Sequence, residues 1–137
     1  MGFSRAQKGE KSATVLVVDD EPLNRDLLRR VLCFDYQVRE AEDPSAAIRV
    51  LENEGPVDVM ICDHLMPGRS GTDLARDVRT RWPQTVSILL TGYDDAPEVE
   101  QARRDGSIFE VMGKPWLAPH LREAITRALA EASRRKS

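Results

Sequence analysis

The chain has only two cysteines, Cys33 and Cys62, in 137 residues. It contains no CxxC pair and no cysteine–histidine cluster, which excludes a structural zinc site and a disulfide framework. Both thiols sit inside apolar patterns, so the sequence predicts two reduced, buried side chains in a cytoplasmic protein. No apolar run approaches the roughly 20 residues of a membrane-spanning helix. Residues 1–12 are polar and lack the apolar core of a signal peptide, so they read as a flexible leader. There is no excess of positive charge. Twenty Lys and Arg face 23 Asp and Glu, the net charge is −3, and no basic field exists to hold nucleic acid. Internal repeats, low-complexity segments and signs of a second domain are also absent. The length is that of one domain with one core.

The most informative stretch is Val57-Asp58-Val59-Met60-Ile61-Cys62-Asp63, followed by the turn-rich His64-Leu65-Met66-Pro67-Gly68-Arg69-Ser70-Gly71. A short apolar run of this kind reads as a buried strand of a parallel sheet. It places Asp63 at the carboxyl end of a strand, where open α/β sheets bind ligands. Four more strands are predicted at 14–18, 36–40, 86–90 and 108–112, the last weakened by Glu110. Helices alternate with them. One runs from Pro22 to about residue 33, with Leu23, Leu27, Leu28, Val31 and Leu32 at helical spacing. The next starts at the Asp43-Pro44 cap and ends near Gly55-Pro56. Others span about 71–81 and 97–104, and a long last helix follows Lys114-Pro115. The result is a (βα)₅ chain, an α/β doubly wound parallel sheet, over residues 13–132. Residues 133–137 read as a frayed basic tail.

Polar residues mark four strand ends: Asp19, Asp20 and Glu21, then Asp63, then Thr91, then Lys114. Each has an ordinary alternative. The acids can cap helices or turns, Thr91 can be a plain strand residue, and Lys114 can be a solvated surface lysine. Their joint placement favours a site. Acids gathered at one edge raise each other's pKa unless a cation joins them. Mg²⁺, with its oxygen ligands and retained waters, fits such a set best. A carboxylate is also a competent nucleophile for phosphoryl transfer. Lys114 then offers fixed positive charge to phosphate oxygens, and Thr91 offers a small hydroxyl donor.

The motifs Val17-Val18-Asp19-Asp20-Glu21, Asp63 to Gly71, Leu90-Thr91-Gly92 and Lys114-Pro115-Trp116 resemble those of bacterial two-component response regulator receiver domains. The resemblance implies a flavodoxin-like sheet of order 2-1-3-4-5, a topology expectation that is not independent of it. It implies that Asp63 accepts a phosphoryl group from a histidine kinase or phosphotransfer protein. Mg²⁺ would be held by Asp20, Asp63 and the Leu65 carbonyl, with Asp19 acting through water. Thr91 would bond the phosphoryl oxygen on activation, Lys114 would bond the Asp63 or phosphoryl oxygens, and the Lys114–Pro115 peptide would be cis. The signal would reach an output domain or partner, including a phosphorylation-dependent homodimer, through the face formed by helix 4, strand 5 and helix 5. The Thr-Gly and Lys-Pro-Trp pairing resembles receivers that precede σ54-activator ATPase or HD-GYP phosphodiesterase outputs. No direct contact with nucleic acid or membrane is implied.

The chain departs from the family pattern at the switch position. Val111 stands where an aromatic is usual, and Phe109, two residues back, is expected to share its side of the strand. Leu65 and Tyr93 flank the site and should slow water's attack on an acyl phosphate. His64 is expected at the rim, tuning access or touching a partner, and His120 on the surface. Three other functions compete. A degenerate receiver could act as a phosphate-independent docking module. A small Mg²⁺-dependent aspartyl-phosphate phosphatase needs an acid where Leu65 stands. A flavodoxin-like cofactor binder needs a Gly- or Ser/Thr-rich loop where Asp19-Asp20-Glu21 stands.

Overall fold

The computed structural model of the chain describes residues 12–92 and 96–136. The expected leader lies outside the described residues, apart from Ser12. Five parallel strands form one sheet: β1 (Thr14–Val18), β2 (Gln37–Ala41), β3 (Val59–Asp63), β4 (Val86–Thr91) and β5 (Glu110–Gly113). Their order is β2-β1-β3-β4-β5, as expected. The helices are α1 (Pro22–Leu32), α2 (Pro44–Glu54), α3 (Gly71–Arg81), α4 (Pro97–Arg104) and α5 (Ala118–Lys136). No described helix is long and apolar enough to cross a membrane.

Strand periodicity builds two cores. Leu16, Val18, Met60, Cys62 and Leu89 point to one face and pack against α2, α3 and α4 through Leu51, Leu74, Val78 and Val99. Val15, Val17, Ile61, Ile88 and Leu90 point to the other, against α1 and α5 through Leu28, Leu32, Leu121 and Ile125. Strands β3 and β4 are buried along their whole length, which is why they read as mostly apolar runs, with Ser87 a buried polar interruption in β4. The caps follow the sequence. Asp43 accepts from the Ala46 N–H at 2.7 Å, with Pro44 opening α2, and Ser70 accepts from the Asp73 N–H at 3.1 Å.

Five expectations change. Strand β3 begins at Val59 rather than Val57; at Asp58 the backbone still bonds Thr14 and Val86, while the side-chain carboxylate accepts from the Thr14 N–H and from Lys136. Strand β5 begins at Glu110. Ile108 packs on the α4 side and Phe109 on the α5 side, so Phe109 does not share the face of Val111. Cys33 is exposed, and only Cys62 is a buried thiol. Leu23 and Leu27 also face outward, since helical spacing alone does not say how wide the covered stripe is. Residues 133–136 of the expected frayed tail are helical. Helix α5 continues to Lys136, Arg135 donates to the Pro83 and Thr85 carbonyls at 3.2 Å each, and Lys136 pairs with Asp58 at 2.9 Å.

Candidate functional site

Strand register brings the polar residues to one edge. Val18 lies beside Cys62, Asp63 beside Leu90, and Thr91 beside Gly113. The residues that follow or end these strands therefore converge. Carboxylate oxygens of Asp19, Asp20 and Asp63 all lie within 4.8 Å of one another. Lys114 Nζ donates to Asp63 Oδ1. Thr91 is buried beside them in the sheet, and its carbonyl accepts from the Lys114 N–H at 3.0 Å. The Lys114–Pro115 peptide is cis.

The acids differ in environment. Asp19 is 1% exposed, whereas Asp20 is open to solvent. Burial pushes the Asp19 carboxyl above its usual range. The Glu21 N–H pulls it partly back, and the charge of Asp63 pushes it up again. Asp19 Oδ1 accepts the Glu21 N–H at 2.9 Å, but Glu21 is the cap residue of α1 and no side chain caps that helix. Arg25 braces the same turn, with Nη1 donating to the Asp19 carbonyl at 2.7 Å. Three mutually repelling carboxylates facing one lysine form an all-oxygen donor set. That is the chemistry of a hard divalent cation such as Mg²⁺, and the residues present fit it.

The loop after Asp63 is held tightly. The His64 N–H donates to the Leu90 carbonyl at 3.0 Å, and the Gly71 N–H donates to the His64 carbonyl at 2.8 Å. Gly71 has no room for a side chain, because a Cβ there would lie 2.7 Å from Leu89 Cδ1, 3.1 Å from His64 Cα and against the Asp63 carbonyl. Gly68 turns the loop at φ +91°. Leu65 is 61% exposed. Tyr93 lies outside the described residues.

His64 is not at the rim. Its residue exposure is 1%, and its Nε2 lies 3.2 Å from Glu98 Oε2 on α4. Its Nδ1 is buried with no hydrogen-bond partner among the described residues. Such an orphan costs about 1–3 kcal/mol. The Glu98 carboxyl is held below its usual range by its own backbone N–H and then by His64. The sequence reading gave Glu98, Gly71 and Arg25 no role at the site, Gly71 entering only as the last residue of the loop motif. Only Gly71, a glycine at a helix start, carried a local signal. Val111 is half-buried on the α4 side of the sheet, and His120 is exposed as expected.

The acid cluster and the lysine lie at the carboxyl edge of a doubly wound sheet, the edge at which α/β modules bind their ligands. The chain belongs to the response regulator receiver domain family, whose model matches residues 15–126. Receiver domains are signalling modules rather than conventional enzymes. Among its relatives is the hydrogenase transcriptional regulatory protein HoxA of Cupriavidus necator, 38% identical over 120 residues, covering 88% of this chain and 25% of that protein. Another is a cyclic di-GMP phosphodiesterase of Thermotoga maritima, 32% identical, covering 85% of this chain and 31% of the relative. The chain spans about a quarter of the length of the HoxA proteins it matches. Similar solved structures include a response regulator receiver domain protein from Clostridium thermocellum, with TM-score 0.81, 32% identity and coverage of 88% and 97%. The response regulator TrrA of Thermotoga maritima, solved in complex with Mg²⁺-BeF, gives TM-score 0.76, 30% identity and coverage of 85% and 99%.

Proposed function

We propose that the chain is a phosphoacceptor receiver of a two-component phosphorelay, with Asp63 as the residue phosphorylated. The observation that carries this is the meeting of the Asp19, Asp20 and Asp63 carboxylates within 4.8 Å, with Lys114 on the Asp63 oxygen. Asp20, Asp63 and the Leu65 carbonyl would hold Mg²⁺, and Asp19 would act through water. The bound ion supplies neutralising charge for the phosphoryl oxygens.

Asp63 attacks the phosphorus of a phosphohistidine on the donor. An O–P bond forms, the P–N bond breaks, and the imidazole leaves with its electron pair. Lys114 holds the carboxylate ready and then faces the phosphoryl oxygens. Thr91 supplies its hydroxyl to a phosphoryl oxygen. The donor is a histidine kinase or a histidine phosphotransfer protein. Leu23 on α1 is 80% exposed and Leu117, just after β5, is 61% exposed, and both belong to segments leaving the acid-bearing edge. Downstream, the face of α4, β5 and α5 changes and controls an output domain or partner, or a homodimer through that face. The names of the relatives support a transcriptional or cyclic di-GMP output.

The phosphatase alternative lacks its acid, since Leu65 occupies that place. The docking-module alternative does not account for the assembled acids and lysine. The test is intact mass after incubation with Mg²⁺ and acetyl phosphate. One phosphoryl group on the wild type and none on Asp63→Asn is the expected result. Equal labelling of both rejects Asp63 as the acceptor.

A further inference from the structure

We propose that His64 is a positioning residue that ties the start of α4 to the phosphoacceptor loop, so that α4 follows the state of Asp63 through the His64–Glu98 link. The inference rests on the phosphoacceptor reading of Asp63. Its geometric basis is separate from that reading.

Helix α4 has eight residues, the fewest of the five helices, and two of them, Val99 and Ala102, are buried. Its two ends are held differently. At the far end, the Asp105 carboxylate accepts from Arg76 Nε at 3.0 Å, and the Asp105 carbonyl accepts from Arg79, so that end is fixed to α3. At the near end, the cap residue Ala96 makes no side-chain bond. Ala96 and Val99 pack the first turn on the core, and Glu98 adds a polar contact, meeting His64 Nε2 at 3.2 Å. An element bonded to a neighbouring helix at one end, and held at the other by apolar packing and, among the described residues, one side-chain polar link, is the kind that shifts when the link is disturbed.

His64 is placed to disturb it. Its ring is buried, and its backbone is bonded on both sides, to Leu90 and to Gly71. The ring therefore moves with the loop that begins at Asp63, the preceding residue. An apolar side chain would fill this buried place without leaving Nδ1 unpartnered. The imidazole at this buried place makes its one side-chain contact among the described residues through Nε2. Val111 supplies no ring that could swing between two places on the α4 side of β5. The His64–Glu98 link provides a side-chain connection between the phosphoacceptor loop and α4 without one.

The experiment is hydrogen exchange of the full chain, read by mass spectrometry over residues 97–104, with and without Mg²⁺ and beryllium fluoride as the phosphoryl mimic. The variants are Glu98→Ala, which removes the link, and Glu98→Gln, which keeps an acceptor oxygen. In the unliganded protein, Glu98→Ala should raise exchange over 97–104 by about tenfold and leave 71–81 unchanged, as loss of one charged hydrogen bond at a helix start requires. Beryllium fluoride should alter exchange over 97–104 in the wild type. In Glu98→Ala it should bind as well but leave that segment unaltered, and Glu98→Gln should restore most of the response. A full α4 response in Glu98→Ala overturns the proposal. A wild type that takes up no beryllium fluoride overturns the phosphoacceptor reading and the coupling with it, whereas the tether itself still stands or falls on exchange in the unliganded protein.

Discussion

Gly71→Ala tests whether the loop after Asp63 is as rigid as its contacts indicate. The added methyl would lie 2.7 Å from Leu89 Cδ1, 3.1 Å from His64 Cα and against the Asp63 carbonyl. Two of these three neighbours are backbone, so relief requires moving the phosphoacceptor loop. Overpacking in such places costs about 1–3 kcal/mol, and backbone neighbours put this site at the upper end. A stiffer unfolded chain returns about 0.5–1 kcal/mol. The net loss is therefore about 2 kcal/mol, which for a domain of this size lowers Tm by about 6–8 °C. Gly113→Ala is the control, because a Cβ there meets nothing within 4 Å. It should change stability by less than about 0.5 kcal/mol. Because the strain falls on Asp63 and His64, Gly71→Ala should also slow acetyl-phosphate labelling by about tenfold or more, as displaced reacting groups do. Thermal denaturation followed by circular dichroism and a labelling time course read both effects. Equal Tm values for Gly71→Ala and the wild type would refute the packing argument. So would a loss of the same size in Gly113→Ala.

Native protein should alkylate at one thiol, Cys33, and denatured protein at two, because burial pushes the Cys62 thiol up to about 12; mass spectrometry after iodoacetamide counts them. Lys136→Met should lower stability at neutral pH. Burial alone would raise the Asp58 carboxyl, but Lys136 and the Thr14 N–H outweigh it and hold it below its usual 3.8. Stability from a depressed carboxyl is present above the unfolded value and lost as pH falls through the folded one. The variant should therefore lose stability less steeply than the wild type below that value, as measured by urea unfolding at a series of pH values. Leu65→Asn should shorten the lifetime of the phosphorylated protein, since an exposed apolar neighbour hinders water; an unchanged lifetime removes Leu65 from that role.

Much of the fold was legible because its signals are local. Strands β1, β3 and β4 are mostly apolar runs, Pro22 and Pro44 open helices, and Asp43 caps one by a bond within three residues. The acids, Thr91 and Lys114 were legible because each falls at a strand end. The misreadings came from distant partners. The tail from Ser133 holds its helix through Asp58, Pro83 and Thr85, whose places in space no local pattern discloses. Strand β5 shifted because apolarity does not separate a strand residue from a packed loop residue such as Phe109. His64 was placed at the rim for the same reason, since its partner Glu98 lies 34 residues away.

The central claim is that Asp63, and no neighbour, forms the acyl phosphate. The most direct measurement is site mapping by borohydride reduction of protein labelled with acetyl phosphate and Mg²⁺, followed by peptide sequencing in the mass spectrometer. Reduction converts a phosphorylated aspartate to homoserine. The account predicts homoserine at position 63 alone, dependent on Mg²⁺ and lost in Asp20→Asn. Homoserine at position 19 or 20, or a phosphoryl group surviving on His64 instead, would contradict it.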